Sequence, residues 1–552
     1  MSVQQPADPV DAVVDATPAE VITAAAAPAA SRHVAVPRVQ LPALLADVIA
    51  LAGGALLVCS FAPLSLWPLA ILCPALQMWL WHGATPRQAA RTGFCFGAGT
   101  FGFGVSWLYL GLHHGGGSPI WLALLLLVAL AGIMAFYQGL LGYLAARLLP
   151  ADGAARYLVG LPALWLLVEW WRGWFLSGFP WLSLGYSQTD TVLAGFAPLA
   201  GVYGISAVLL LLGGALVALV RGPWRTRWCA LALLVLAWPA GALLGRLDWS
   251  HPVGKPVSVA VLQGAIPQDL KWQAANAGPT RAHYLQLENR ALGARLIVWP
   301  EAALPQLANE IPQYLGDIYS SARMHGSDVI MGILRVDESG RYYNSIMTLA
   351  DRVSFYDKHH LVPFAEYFPV PHFVRTWLRL MNLPFDDFTA GAAVQPVITA
   401  GGTLLAPGIC YEDAYGSDTL PALRHGAEVM VNVTNDAWFG HSWERYQHFQ
   451  IARMRALEAQ RPLISATNDG VSALVGMRGQ VLAQAPDFVA TVLRGTVQPR
   501  AGLPPFVRFG NDLIVVLGLL GAGYSVGLRV WQIIRGRRRA TGLSFDFPHG
   551  SE

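Results

Sequence analysis

The sequence predicts an α-helical membrane domain of about eight spans joined to an α/β layered domain. Of the 552 residues, 54% are hydrophobic and only 13% are charged, which is about half the charged fraction of an average soluble domain. The deficit is confined to one region, since the acidic residues between positions 41 and 244 are Asp47, Asp152, Glu169 and Asp190. From about 250 to 500 the composition is that of a soluble domain large enough for its own core.

Apolar segments of membrane-spanning length follow an N-terminal segment, 1–36, that is rich in Ala, Pro, Val and Asp. This segment is interpreted as a flexible tail, because it lacks the basic start and continuous apolar core of a signal peptide; a targeting role is the alternative. The apolar segments lie near 41–62, 66–82, 90–112, 119–147, 157–175, 192–220, 227–246 and 510–534. They predict a seven-span membrane domain at 37–248 and an eighth span at 503–536.

The basic residues between these segments are placed asymmetrically. The connections after the second, fourth and sixth segments carry arginines, whereas those after the first and third carry no Lys or Arg. Arg32 and Arg38 precede the first segment, and four arginines lie between 535 and 539, after the last. Positive loops stay cytoplasmic. We therefore expect both termini, including the tail at 537–552, to be cytoplasmic and the large domain to be outside.

Arg172 is the single basic residue on a predicted outer connection. Glu169, one helical turn earlier, is a possible partner for it. The two residues either line the active site or lock the membrane domain to the globular one.

Short β-rich runs alternate with helical stretches in the large domain, 249–502. The runs are nearly continuous in apolar residues, as expected for strands covered on both faces, and lie at 257–262, 296–298, 329–333, 403–405, 429–433 and 463–466. Helical stretches lie at 279–293, 311–325 and 443–460. This is the pattern of an α/β layered domain. Polar residues follow the strands at the position where such folds bind ligands.

Cys410 is the only one of the five cysteines outside the apolar first half of the chain. The other four lie in predicted spans and form no CxxC pair or His/Cys cluster, so neither a disulfide framework nor a zinc site is expected. Cys410 is therefore expected to be a free thiol. The sequence has no basic stripe with interleaved aromatic residues, so it does not predict nucleic-acid binding.

Three reactive side chains each close an apolar, strand-like run: Glu301, Lys358 and Cys410. A thiol is a poor nucleophile until it ionises, and a nearby base or cation lowers the cost of the thiolate. Glu301 can supply the base, and Lys358 can supply the cation or stabilise an oxyanion. Taken singly, a helix cap, a surface lysine and a packed cysteine are the alternatives. Together, in this order, they predict an acyl-transfer site.

The motifs around these residues, at 299–301, 356–364 and 408–412, resemble the Glu-Lys-Cys signatures of the nitrilase (carbon–nitrogen hydrolase) superfamily. Joined to the membrane segments, they make the chain resemble the bacterial apolipoprotein N-acyltransferase family. Further matching stretches lie at 169–174, 178–181, 363–369 and 432–439. The resemblance covers nearly everything except the two tails.

The resemblance implies a nitrilase-like αββα sandwich that faces the periplasm from the bacterial inner membrane. It implies that Cys410 attacks an ester carbonyl of a phospholipid, with Glu301 as general base and Lys358 as oxyanion stabiliser. The thioester would then pass its acyl chain to the α-amino group of a diacylglyceryl-cysteine apolipoprotein. This ping-pong transfer would use no metal or cofactor. Its partners would be a phospholipid donor, a diacylated apolipoprotein acceptor and the bilayer, and the enzyme is expected to be a monomer.

Supporting positions are also implied by the resemblance, at Glu366, Glu412 and Tyr411. For Glu412, a carboxylate that stabilises a helix start is the alternative. Trp272 is similar to a family tryptophan near the site entrance.

Two aromatic-rich segments are expected to keep water from the thioester. The first arm, 363–388, contains Phe364, Tyr367 and Phe368, and the second arm, 437–449, contains Trp438 and Phe439. We expect both arms to dip toward the bilayer and admit acyl chains. The alternative is that their aromatic side chains pack on the globular domain.

Two other functions are compatible with parts of the sequence. A membrane-tethered amidase would use the same three residues, but a tether needs only one span. A transporter or scaffold with a binding domain would require the occurrence of these three residues together to be a coincidence. In addition, the predicted spans carry no chain of paired charges that marks a transport path.

Overall fold

The computed structural model describes residues 41–367 and 387–540. The predicted tail at 1–36, Phe368 with most of the first arm, and the last twelve residues lie outside the described residues. The described residues from Ala43 onward belong to one compact unit.

Each of the eight predicted apolar segments contains a helix. The main helices are α1 (Ala43–Val58), α2 (Leu69–Leu80), α3 (Pro86–Gly104), α4 (Ile120–Leu148), α5 (Leu161–Arg172), α6 (Ala197–Arg221), α7 (Trp224–Leu244), α8 (Ala277–Ala291), α9 (Pro312–Met324), α10 (Glu444–Ala459) and α11 (Asp512–Ala540). Short helical turns lie at Leu108–Leu110, Gly111–Gly115, Ala155–Gly160, Phe175–Ser177, Leu184–Gln188, Val192–Phe196, Gln268–Lys271, Ala274–Asn276, Ala308–Glu310, Cys410–Ala414, Leu420–Arg424, Asp436–Phe439 and Pro505–Phe509.

Four helical segments among the described residues are long and apolar enough to cross a membrane: Ile120–Leu148, Val192–Arg221, Trp224–Leu244 and Asp512–Arg537. A fifth candidate joins Pro86–Gly104 to Leu108–Gly115 through a bend of 54°. Helices α1 and α2 are apolar but shorter. The described residues thus contain a helical membrane domain with four or five candidate spans by length and composition, and the eight predicted spans stay a prediction.

Glycines set the distance between α1 and α3. A Cβ on Gly54 would lie 1.9 Å from the carbonyl oxygen of Phe96, and a Cβ on Gly99 would lie 2.1 Å from that of Leu51. Small residues allow such close backbone approach between helices in a membrane. These glycines therefore fix the close packing of the two helices.

Two six-stranded sheets form the globular domain. Its strands are β1 (Val257–Gln263), β2 (Leu296–Val298), β3 (Asp328–Val336), β4 (Tyr342–Leu349), β5 (Ser354–Asp357), β6 (Ile398–Ala400), β7 (Thr403–Ile409), β8 (Val429–Thr434), β9 (Leu463–Thr467), β10 (Ala473–Val475), β11 (Val481–Gln484) and β12 (Thr491–Val497). The strand orders are β12-β1-β2-β3-β4-β5 and β11-β10-β9-β8-β7-β6. The central strands β1, β2 and β3 run parallel, as do β7, β8 and β9, and His251–Pro252 pairs separately with Arg500–Ala501.

The sheets stack face to face between helices. Alternate residues of β1, such as Val259 and Val261, point into the core between the sheets, together with Ile409 and Val431 of the second sheet. The outer face of the first sheet is covered by α8 and α9, and that of the second by α10. The predicted αββα sandwich is therefore confirmed.

Helix α10 also contacts the membrane helices, which fixes the sandwich on them. The Gln447 side-chain oxygen accepts hydrogen bonds from the indole nitrogens of Trp181 (2.7 Å) and Trp107 (3.1 Å). The Glu458 carboxylate accepts one from the backbone N–H of Val202 at 2.7 Å, where α6 is kinked. The predicted strand ends are thereby held at a defined position over the membrane domain.

The predicted Glu169–Arg172 pairing is corrected by the structure. Arg172 donates instead to the carbonyls of Phe179 and Trp181. Glu169 accepts a hydrogen bond from the Ser206 hydroxyl at 2.5 Å. The guanidinium satisfies backbone carbonyls of the loop after α5, so Arg172 helps to shape the loop that carries Trp181.

Candidate active site

Three strand ends bring the predicted reactive residues together. Glu301 follows β2, Lys358 follows β5 directly, and Cys410 follows β7 directly. The first two strands belong to one sheet and the third to the other. The site therefore forms where the ends of the two stacked sheets meet.

Lys358 lies between two carboxylates. Its Nζ is 2.9 Å from Oε1 of Glu366 and 3.7 Å from Oε1 of Glu301, and its side chain is only 1% exposed. Burial favours the neutral amine, but Glu366, Glu301 and the Cys410 side chain outweigh it and raise the pKa of Lys358. Lys358 is therefore a firmly held cation beside the thiol.

Asn344 holds the two carboxylates in position. Its Nδ2 donates to Oε1 of Glu301 at 2.8 Å and to Oε1 of Glu366 at 3.0 Å. Asn344 was not predicted from the sequence, although an amide within the apolar run of β4 was an available signal.

Cys410 is a strained, partly buried nucleophile candidate. Its φ is +52°, a left-handed conformation that is unfavourable for a residue with a Cβ. Burial raises the pKa of the thiol well above its usual value, and Glu301 raises it further, whereas Lys358 lowers it. The thiol is therefore protonated at neutral pH and needs a base before it can attack a carbonyl.

Glu412 ties the lysine loop to the cysteine strand. Its Oε2 accepts from the Ile409 N–H at 2.7 Å, at the start of the helical turn Cys410–Ala414. Its Oε1 accepts from the His359 N–H at 2.7 Å and from the Tyr356 hydroxyl at 3.0 Å. The helix-start interpretation is therefore correct but incomplete, because the same carboxylate also fixes the segment that contains Lys358.

Lys271 is a second buried amine near the site, and it was not predicted from the sequence. Its Nζ lies 3.4 Å from the carbonyl oxygen of Glu301. Burial lowers the pKa of Lys271 to about 8, opposed by Glu301 and Asp469. Its position next to Trp272 in the sequence was the available signal. It supports the backbone of Glu301 rather than its carboxylate.

The described residues include one grouping with metal-ligand chemistry: Asp436, Glu444 and His448, all buried, whose ligand atoms lie within 4.8 Å of one another. Nδ1 of His448 is 3.0 Å from Oδ1 of Asp436 and 3.7 Å from Oε1 of Glu444. The first distance is that of a hydrogen bond. The grouping is thus accounted for by the hydrogen bond between His448 and Asp436.

The predicted entrance and arm residues differ in their surroundings. Trp272 and Phe364 are about half exposed, and Trp438 is 36% exposed. The Tyr367 hydroxyl is 2.6 Å from the Ser177 hydroxyl, next to the membrane helices. Phe439 packs edge-on against Trp107, with ring centroids 4.8 Å apart. Phe439 thus contacts the membrane domain, and its role at the site stays a prediction.

Tyr411 follows the cysteine and points toward the membrane domain. Its ring stacks on Trp181, with centroids 6.3 Å apart, and lies edge-on to Tyr415 at 5.2 Å. It therefore connects the nucleophile turn to the loop shaped by Arg172.

Gly332 permits the close approach of the Glu301 loop to β3. A Cβ there would lie 2.5 Å from the Cα of Glu301 and 2.5 Å from the carbonyl oxygen of Pro300. Gly332→Ala is therefore expected to lower the unfolding free energy by about 1–3 kcal/mol, the usual cost of overpacking, and to displace Glu301. Gly316→Ala is the matched control, since its Cβ meets nothing within 4 Å on helix α9. Equal unfolding midpoints for the two variants would contradict the expectation.

Comparison with known proteins covers both parts of the chain. A family model for the apolipoprotein N-acyltransferase N-terminal domain matches residues 53–216, and a carbon-nitrogen hydrolase model matches residues 258–502. The chain is 38% identical over 501 residues to an apolipoprotein N-acyltransferase of Methylococcus capsulatus, covering 90% of this chain and 99% of that protein. It is 39% identical over 469 residues to that of Vibrio parahaemolyticus, covering 83% and 92%. It is 40% identical over 481 residues to the apolipoprotein N-acyltransferase of Nitrosomonas europaea, covering 86% of this chain and 95% of that protein.

Proposed function

The chain belongs to the apolipoprotein N-acyltransferase family, and we propose that it moves a fatty acyl chain from a membrane phospholipid to the α-amino group of a diacylglyceryl-cysteine apolipoprotein by way of a thioester on Cys410. The single observation that carries this assignment of residues is the convergence of Cys410 with the buried cation Lys358 and the carboxylate of Glu301.

In the first half-reaction Glu301 takes the thiol proton, and the sulfur forms a bond to the ester carbonyl carbon. The negative charge on the carbonyl oxygen is stabilised by Lys358 and by the backbone N–H of Tyr411. When the C–O bond breaks, the proton passes from Glu301 to the leaving alkoxide. The products are a lysophospholipid and the Cys410 thioester.

In the second half-reaction the amine of the apolipoprotein attacks the thioester. Glu301 accepts the proton of the amine, the C–S bond breaks, and the thiol is regenerated with that proton. The product is an amide. The ester donor brings the acyl group already activated, so the cycle balances without a metal or a diffusible cofactor.

We propose that the enzyme crosses the bacterial inner membrane eight times, seven times within 37–248 and once within 503–536. Both termini would be cytoplasmic, and the sandwich at 249–502 would lie in the periplasm. The asymmetry of the arginines supports this orientation. The shorter helices α1 and α2 would then complete the spanning set together with the bent α3 and with α5. A monomer suffices, because the three reactive residues lie on one chain.

We further propose that the exposed aromatic residues Trp272, Phe364 and Trp438 contact the acyl chains, and that the first arm limits access of water to the thioester. The described ends of this arm support the idea, since the Phe388 N–H donates to the Glu366 carbonyl at 2.9 Å. Movement of the arm would therefore shift Glu366, whose carboxylate contacts Lys358.

The test is intact-mass analysis of the detergent-solubilised protein after incubation with phospholipid. A mass increase of one acyl group is expected, absent in Cys410→Ala and discharged by a diacylated lipopeptide. Cys229→Ala, at an exposed thiol of α7, is the matched control and should still acquire the adduct. Absence of any adduct under turnover conditions would reject the proposal, and discharge by water alone would indicate a hydrolase.

A further inference from the structure

The carbonyl oxygen of Cys410 accepts two side-chain hydrogen bonds. Nε2 of His448 lies 3.1 Å from it and Nδ2 of Asn432 lies 3.2 Å from it. Asn432 also makes a second hydrogen bond to the same residue, in which its Oδ1 accepts from the Cys410 N–H at 3.2 Å. Both partners are buried, so the backbone of Cys410 is held from inside the sandwich.

The hydrogen-bond partners fix the protonation of His448. A carbonyl oxygen only accepts, so Nε2 must carry a proton. Nδ1 lies 3.0 Å from Oδ1 of Asp436, a carboxylate that when ionised also only accepts. Both nitrogens therefore carry protons. Burial opposes this charge, but Asp436, Glu444 and Asp413 raise the pKa of His448 to about 10.

The contact at the carbonyl oxygen controls a group on the other side of the same peptide unit. In a planar trans peptide the C=O of one residue and the N–H of the next point in opposite directions. Anchoring the Cys410 oxygen therefore fixes the direction of the Tyr411 N–H. A cation at the oxygen also polarises the peptide and strengthens that N–H as a donor.

The conformation of Cys410 explains why an anchor is needed. A left-handed φ of +52° is unfavourable for a residue with a side chain, and persists only where neighbouring contacts enforce it. Relaxation of this φ would turn the Tyr411 N–H away from its present direction.

We propose that His448 is a positioning residue for the oxyanion: as an imidazolium held by Asp436, it fixes and polarises the Cys410–Tyr411 peptide so that the Tyr411 N–H stabilises the tetrahedral intermediate. This inference rests on the proposed thioester chemistry. Asp436 would thus hold the His448 ring, and His448 would hold the Cys410 carbonyl. The N–H at the other side of that peptide would then contact the substrate.

The test compares two reactions of the same thiol. Acylation of Cys410 by phospholipid passes through an oxyanion, whereas alkylation by iodoacetamide does not. His448→Leu is expected to slow single-turnover acylation by about 10²-fold, the lower end of the loss of an oxyanion donor, and to leave alkylation within about threefold. His448→Gln keeps a neutral donor near the Nε2 position and should recover about tenfold of that loss.

The control is His283→Leu, which removes a part-buried histidine bonded to the Gly264 carbonyl at 2.9 Å and should change neither rate. Parallel loss of acylation and alkylation in His448→Leu, or no loss of either, would overturn the inference. If His448→Leu does not fold, His448→Gln decides alone, by whether acylation falls while alkylation persists. Failure of the wild-type protein to form the acyl adduct would instead refute the proposed function itself.

Discussion

Replacing Lys358 with methionine is expected to slow acylation of Cys410 by about 10²–10³-fold, the range found when one oxyanion donor is removed. The residue is 1% exposed and its Nζ contacts both Glu366 and Glu301. Methionine has a similar length but no charge, so it preserves the packing of the site. Single-turnover acylation, followed by intact mass, measures the effect.

The same substitution is expected to destabilise the domain by about 3–5 kcal/mol, because it leaves the buried Glu301 and the partly buried Glu366 without their cation. The double variant Lys358→Met/Glu366→Gln removes one of those charges and should recover part of the stability but none of the acylation rate. Lys255→Met, at an exposed lysine, is the control for both measurements. Recovery of acylation in the double variant would show that Lys358 acts only through stability.

The sequence was sufficient for the central buried strands of the two sheets, but not for the strands at their edges. Continuous apolar runs such as 257–262 and 429–433 fall within observed strands, because residues buried on both faces leave little ambiguity in such runs. Glu301, Lys358 and Cys410 were conspicuous for a related reason, since each is a charged or reactive group that closes an apolar, strand-like run.

The supporting contacts were not readable from the sequence, because they join residues far apart in it. Asn344 contacts Glu301 across 43 positions and Glu366 across 22. His448 lies 38 positions from Cys410, in the middle of a helix. A histidine there resembles an ordinary core residue until the stacking of α10 on the second sheet is known.

The membrane domain shows a different limit. Hydropathy counts apolar residues but does not record where the backbone turns. The segments 41–62 and 66–82 were therefore predicted at spanning length, whereas their helices have only 16 and 12 residues. Similarly, the spacing of Glu169 and Arg172 suggested an ion pair, whereas the arginine extends to the carbonyls of Phe179 and Trp181. Unsatisfied carbonyls of a loop cannot be recognised from spacing.

Replacing Glu301 with glutamine is expected to slow acylation at neutral pH by about 10²–10⁴-fold, the usual contribution of a general base. Glutamine keeps the shape of the side chain and can still accept the hydrogen bond that Asn344 donates to Oε1 at 2.8 Å. The loss should therefore reflect proton transfer rather than collapse of the site. Glu338→Gln, at an exposed turn, is the matched control.

The pH dependence distinguishes a base from a merely structural carboxylate. Burial raises the pKa of the Cys410 thiol well above its usual value, and the charge of Glu301 raises it further. Without Glu301 that pKa falls but stays elevated through burial, so below it the thiolate fraction grows about tenfold per pH unit. Acylation by Glu301→Gln should rise with pH at that slope between about pH 6 and 8.5. The wild-type rate should rise less steeply, because its base lies within the site. Parallel profiles for the two proteins would show that Glu301 does not take the thiol proton.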